Sequence, residues 1–417
     1  MRMGTLQLFA ASAVALLALA TPAGAQTHII LHDIGGVTGS PADRAFKIAA
    51  SYWESVLTNN ATIHINVGFQ ALDPDDLGGT SFRYYDGITI ASYQNALAVT
   101  GTTALDAQAA SHFQPLSSAG TPTVLIPAYD DPVKKDGVAT AGTRVAPDGS
   151  IIGSTIALTG ANLKALVNNV SGLDAEIIFS SVQAFDFNPA DGISAGSYDF
   201  IGTAIHEIGH ALGFTSGVDT FDNVVGPVQR IDNIPVAYGM DLFRYSAPGQ
   251  LDWGFNAPAY FSLDGGATAL GGNAYFSTGE YNGDGWQASH WKVVGGCTGF
   301  IGMMNPYSCD GTVDVVTAAD LAVFDAIGWN LNVNLLANPT YQMSTAQIYQ
   351  AYNIAHPFGT FAPVPEPAAW AMLIAGFGCV GMARRYSISK LRDQRLVLRI
   401  PLAFLVPVVA GVLMGGL

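Results

Sequence analysis

Apolar positions along this chain switch between helical and strand spacing. In residues 41–58, Ala45, Ile48, Ala49, Tyr52, Trp53 and Val56 share one face at helical period and predict a helix. Residues 61–69 alternate instead, with Ile63, Ile65, Val67 and Phe69 on one side, and predict a strand. The Ala-rich stretch 89–112 predicts helix, and Thr123–Pro127 predicts a strand within the turn-rich stretch 118–155. Asp174–Val182 predicts the strand that precedes the next helix, and residues 183–196 form a Gly/Asp/Asn/Pro loop between them. Ile201, Ile205, Ile208 and Leu212 then recur at +4, +3 and +4, a helical stripe that Asp199 or Ser197 can cap and Gly213 can end. Thr317–Ile327 predicts a last helix before Gly328-Trp329, and Ser344–Tyr352 a short one; there are no internal repeats.

The ends differ. Met1-Arg2, an apolar run from Leu6 to Ala20 and Ala23-Gly24-Ala25 predict a secretory signal cleaved before Gln26. That run is too short to span a bilayer. A second apolar run, Ala368–Met382, lies between Val364-Pro-Glu-Pro367 and Arg384-Arg385, and a third, Ile400–Leu417, is about long enough to cross a membrane. Residues 26–363 remain, enough for one large bilobed domain or two small ones. The formal charge is −15. Without both ends ten basic and thirty acidic residues are left, a net of −20. This acidity, without a basic or aromatic patch, excludes a nucleic-acid partner.

The helical stripe carries the chemistry. Residues 206–210 read His-Glu-Ile-Gly-His. Two histidines four apart face the same way and can bind one Zn²⁺, while Glu207 between them serves as general base toward an activated water. Eight His and five Glu in 417 residues would give this pattern by chance in roughly one such chain in 500. A catalytic zinc takes a third protein ligand and keeps one position open. The compact pattern with a third His soon after the glycine fails here, because Ser216 stands at that position. After Gly213 the only His and Glu are Glu280, His290, His356 and Glu366, and Asp219, Asp222 and Asp241 also remain as donors. His356 lies in a linker-like stretch and Glu366 in the Pro-Glu-Pro segment.

His290 in Gln287-Ala-Ser-His-Trp-Lys292, shortly before Gly302-Met-Met-Asn-Pro-Tyr307, resembles the leishmanolysin-type metzincins. There, a long insertion separates the helix glycine from a third His followed by Trp, and a Met-turn comes next. The resemblance covers three short motifs within residues 197–329. It implies His206, His210 and His290 as zinc ligands, Glu207 as general base and Met304, rather than Met303, as the Met-turn residue, with Glu280 the alternative ligand. It also implies an α+β, bilobed zincin fold. The N-terminal lobe, 26–196, holds a mixed twisted sheet whose antiparallel edge strand lines the cleft; 197–329 holds the active-site helix, the insertion, the Met-turn and a final helix; 330–363 is a linker. Cys297 and Cys309 flank the proposed Met-turn, and a disulfide there would brace it in an oxidising compartment; two unpaired thiols are the alternative. Cys379 falls in the C-terminal apolar segment.

Residues 364–385 resemble the PEP-CTERM sorting signal of Gram-negative bacteria, which implies an exosortase-type partner and a cell-surface or matrix location with transient membrane anchoring. The tail 386–417 departs from that pattern, which usually ends at the basic residues.

The expected function is an exported zinc endopeptidase acting on protein or peptide, with Tyr307 a candidate oxyanion stabiliser. A matrix or adhesion protein with a structural zinc, or a hydrolase of a non-peptide amide, are the alternatives. A structural site would be closed by four ligands and would have no use for Glu207. Asp284 in Asn282-Gly-Asp-Gly285 is a weak Ca²⁺ candidate, because the spacing fits turn chemistry better than an EF-hand.

Overall fold

A computed structural model of the protein describes residues 26–128, 142–167, 170–223, 231–255 and 257–356, all within one compact unit, Met1–His356. The predicted secretory segment 1–25, Cys379, the predicted sorting segment 364–385 and the tail 386–417 lie outside the described residues. Among those described, no helix is long and apolar enough to cross a membrane.

The fold is mixed α+β, with several small sheets and no barrel among the described residues. Helix α1 (Pro41–Val56) starts with Pro at its first turn and buries Phe46, Ile48, Ala49 and Trp53. Strands β1 (His28–Gly35) and β2 (Thr62–Gln70) flank it in sequence and pair in parallel. The main sheet runs in the order β1, β2, Ala175–Ser180 and β3 (Gly78–Phe82). Ala175–Ser180 is parallel to β2, and β3 is antiparallel to Ala175–Ser180. Ile63, Ile65, Val67, Ala175, Ile177 and Phe179 form the buried face.

Ala175–Ser180 therefore lies inside the sheet, and the antiparallel edge is β3, in a stretch where the sequence pattern predicts no element. Gly78-Gly-Thr-Ser-Phe82 lacks apolar alternation because no residue of it is fully buried. The Ala-rich stretch 89–112 is also corrected, to two helices, Ile90–Thr100 and Ala104–Ser111. Thr103 and Asp106 form a capping box that starts the second one. The described part of the 214–289 insertion folds into short strands, loops and short helical pieces, among them the helix Val218–Asn223. Its strands Arg244–Ala247, Gln250–Asp252 and Tyr260–Phe261 extend a five-stranded sheet through Val124–Pro127 and Thr143–Val145.

The helix Phe200–Leu212 sits at the centre. Ile201, Ile205, Ile208 and Leu212 are all fully buried, each contributing about 1.5–3 kcal/mol of apolar burial. Asp199 caps it by accepting from the Gly202 N–H at 3.0 Å. Three side chains fix its backbone: Trp53 Nε1 donates to Ile205 O at 3.1 Å, Trp329 Nε1 to Leu212 O at 2.8 Å, and Thr159 Oγ1 to Ala211 O at 2.9 Å. It ends at Gly213, whose left-handed φ of +119° lets the chain reverse at once.

Candidate metal centre

That reversal places the first ligand support. His210 Nδ1 donates to Phe214 O at 2.7 Å, a carbonyl the Gly213 turn folds back over the helix end. His206 Nδ1 donates to Met303 O at 2.9 Å, and His290 Nδ1 faces Gln287 O at 3.3 Å. A carbonyl can only accept, so each Nδ1 carries the hydrogen and each Nε2 is left with its lone pair. These Nε2 atoms converge: His210 Nε2 is 3.0 Å from His206 Nε2 and 3.1 Å from His290 Nε2. Three lone pairs this close repel unless a cation sits among them. A tetrahedral ion with bonds of about 2.0–2.1 Å would separate its ligand nitrogens by about 3.3 Å, which these distances fit. Among the described residues this is the one group of three His, Cys, Asp or Glu donors that meets closely enough for a metal.

Burial keeps His210 and His290 in the ligand form. It pulls His210 down to about 3, helped by the neighbouring His206, and pushes His290 well below the ordinary histidine range, helped by His210 and His206. Glu207, 6% exposed, lines the same cavity of about 990 Å³. Burial raises its carboxyl above the usual range; the neighbouring His206 and a hydrogen bond from Thr80 oppose this, and Asp76 adds to it. Thr80 Oγ1, on β3, lies 2.7 Å from Glu207 Oε2.

The third candidate ligand, His290, comes from a loop held at several points. Asp219 accepts from the Ser289 N–H at 3.0 Å and from the Ala288 N–H, and burial pushes its carboxyl up to about 6. Ser277 N–H donates to His290 O at 3.0 Å, and Trp291 N–H to Met304 O at 2.9 Å. The Trp291 ring stacks on Phe276 and meets Phe214 edge-on. Asp320, fully buried, accepts from Trp291 Nε1 at 2.7 Å, Met303 N–H at 2.8 Å, Met304 N–H at 3.1 Å and Thr317 N–H at 2.8 Å. One carboxylate thus ties the residue after His290 to the methionine turn and to the helix Ala318–Ala326.

Met304 is fully buried against the helix: a Cβ placed on Gly209 would stand 2.7 Å from Met304 Sδ. The adjacent Met303 contributes its carbonyl to His206. Cys297 and Cys309 are disulfide-bonded with Cα atoms 6.0 Å apart, bracketing this turn. Tyr307 stands in the cavity wall between Trp286 and Phe300, with ring centroids 5.3 Å from each.

The alternative ligands are placed elsewhere. Glu280 lines the cavity outside the donor cluster, and His356 hydrogen-bonds Tyr352 O at the end of the helix Thr345–Ala355. Glu366 lies outside the described residues. Asp222 accepts from the Tyr281 and Asn282 N–H groups, and Asp241 from Ser216 Oγ, Gly217 N–H and Tyr238 N–H. Asp219, Asp222 and Asp241 therefore shape the loops rather than meet the histidines. Asp284 is engaged by the Thr278 N–H and by Lys292 Nζ at 2.9 Å, next to Gly285 at φ +90°, a turn arrangement.

Thr80 and Asp320 are functional candidates the sequence pattern did not single out. Thr80 carries no local signal. Asp320 has one, a Thr317-x-x-Asp320 capping box, but that predicts a helix start and not a reach to Trp291.

Comparison of the chain with protein-family models, with curated proteins and with solved structures gave no match.

Proposed function

We propose that this protein is a zinc-dependent endopeptidase of the metzincin class, leishmanolysin-like in taking its third histidine from beyond a long insertion. The observation that carries the reading is the convergence of His206, His210 and His290 Nε2 beside Glu207 in one open cavity. Among the described residues no fourth His, Cys, Asp or Glu joins the three imidazoles, which leaves a corner free, as a catalytic site requires and a structural one does not. The antiparallel edge strand over the histidine helix and Met304 packed beneath Gly209 support the metzincin assignment.

Bound there, zinc supplies Lewis-acid polarisation of a carbonyl and acidifies a ligated water. An extended peptide laid along β3 gains main-chain hydrogen bonds from that edge. Glu207 takes the proton of the attacking water and returns it to the leaving amine. Thr80 holds Oε2, so Oε1 is the oxygen free to move that proton. Tyr307, in the cavity wall, is the hydroxyl available to the oxyanion. The disulfide fits an exported protein in an oxidising compartment, where the Pro-Glu-Pro segment would direct it to an exosortase.

The test is incubation of the zinc-loaded intact protein with an unfolded protein, with and without chelator, beside Glu207→Gln. Cleavage at peptide bonds, identified by product masses and lost on chelation and in the variant, is expected. No cleavage by the loaded protein, or undiminished cleavage by Glu207→Gln, would overturn the reading.

A further inference from the structure

The main sheet has a second face. Its buried side carries the isoleucines and valines, while Ile30, His32 and Ile34 of edge strand β1 project outward and are exposed. Parallel strands are commonly covered on both faces, so an open polar face on this sheet calls for an explanation. The register puts His32 opposite Asn66, Asn66 opposite Glu176 and Glu176 opposite Ser81, one row across four strands. His64, two residues before Asn66, shares that face, and its ring nitrogen Nδ1 lies 3.1 Å from His32 Nε2. The ring centroids are 5.4 Å apart and the rings are nearly parallel, at 13°. Asn66 Nδ2 donates to Glu176 Oε2 at 3.2 Å, which sets a carboxylate in the same row.

We propose that His32 and His64 form a second divalent-metal site, separate from the histidine helix. At 3.1 Å the two nitrogens share a single hydrogen, and a divalent ion can replace it, taking a lone pair from each ring. The backbone is already in place for this. The two strands are paired along their length, and the His64 N–H is fixed to Asp174 Oδ2 at 2.8 Å. Ligation therefore asks only for small ring rotations. Water completes the ion's coordination. With two imidazoles against three, this site binds more weakly than the buried centre. Its metal preference follows the imidazole order, with Cu²⁺ tighter than Zn²⁺.

The test is metal stoichiometry. The intact protein, stripped with chelator, is dialysed at neutral pH against rising free Zn²⁺ and, separately, Cu²⁺, and bound ions per chain are counted. Two ions are expected, one tight and one weaker, with Cu²⁺ filling the weaker site at lower free concentration than Zn²⁺. His32→Ala and His64→Ala, both outward-facing, should each abolish the weaker ion and leave the tight one in place. The double variant His206→Ala/His290→Ala should do the reverse, so failure at one centre is read separately from failure at the other. No ion bound by His206→Ala/His290→Ala, or two ions still bound by His32→Ala, would overturn the proposal.

Discussion

Thr80 Oγ1 stands 2.7 Å from Glu207 Oε2, joining the edge strand of the sheet to a helix 127 residues further along the chain. The other carboxylate oxygen, Oε1, faces Gly78, where an added Cβ would lie 3.4 Å away. The proposed base is thus aimed by the same strand proposed to hold the substrate.

Removing that hydroxyl should misplace the base without disturbing the metal. Thr80→Ala is expected to lower kcat about 10- to 100-fold at unchanged zinc content, while Thr80→Ser keeps most activity. Steady-state kinetics beside metal analysis checks this; a parallel loss of zinc would contradict it.

The Asp320 carboxylate only accepts, from Trp291, Met303, Met304 and Thr317. Asp320→Asn would turn an amide NH₂ toward those donors. Destabilisation of about 3–5 kcal/mol is expected, with a 10- to 100-fold weaker zinc affinity because His290 and Met303 O lose their alignment. Denaturant unfolding and competitive zinc titration measure the two effects; an unchanged affinity would contradict the positioning role.

Gly209 faces Met304, and helix propensity alone would favour Ala there by about 1 kcal/mol. The clash with a fully buried thioether outweighs this, since overpacking a tight core costs about 1–3 kcal/mol. Gly209→Ala should therefore lower the melting temperature. A rise would show that the methionine gives way freely.

Asp325 supplies a pH dependence. Burial, then the neighbouring Asp106, push its carboxyl up to about 7, against a hydrogen bond from Thr103. Its Oδ2 accepts from Thr103 Oγ1 at 2.7 Å, and Oδ1 has no hydrogen-bond partner. Between the ordinary value of 3.8 and about 7 the folded protein keeps a proton that the unfolded chain releases, so stability falls as pH rises through this window. Asp325→Asn should stabilise the protein by about 2 kcal/mol at pH 8, and the gain should fade toward pH 4. Equal gains at both pH values in thermal melts would contradict this.

The histidine helix was legible because its information is local: the stripe, the Asp199 cap, the Gly213 stop and the His-Glu-x-x-His spacing all lie within residues 199–213. His290 emerged from the few donors left after Gly213 together with the Trp and Met that follow it. Strand order was not legible, because whether Ala175–Ser180 or Gly78–Phe82 borders the helix depends on pairing across about a hundred residues. Thr80 and Asp320 escaped for the same reason, since both act on partners distant in sequence. The break at Gly101 was hidden by alanine composition, although Thr103 and Asp106 already held its capping signal.

The central claim is one zinc held by three imidazoles with one position open. X-ray absorption at the zinc edge on the loaded protein, compared with His290→Ala, tests it most directly. Three imidazole nitrogens at about 2.0–2.1 Å and one oxygen donor are predicted, with one imidazole lost in the variant. A shell closed by four protein ligands, or an identical spectrum from His290→Ala, would contradict the account.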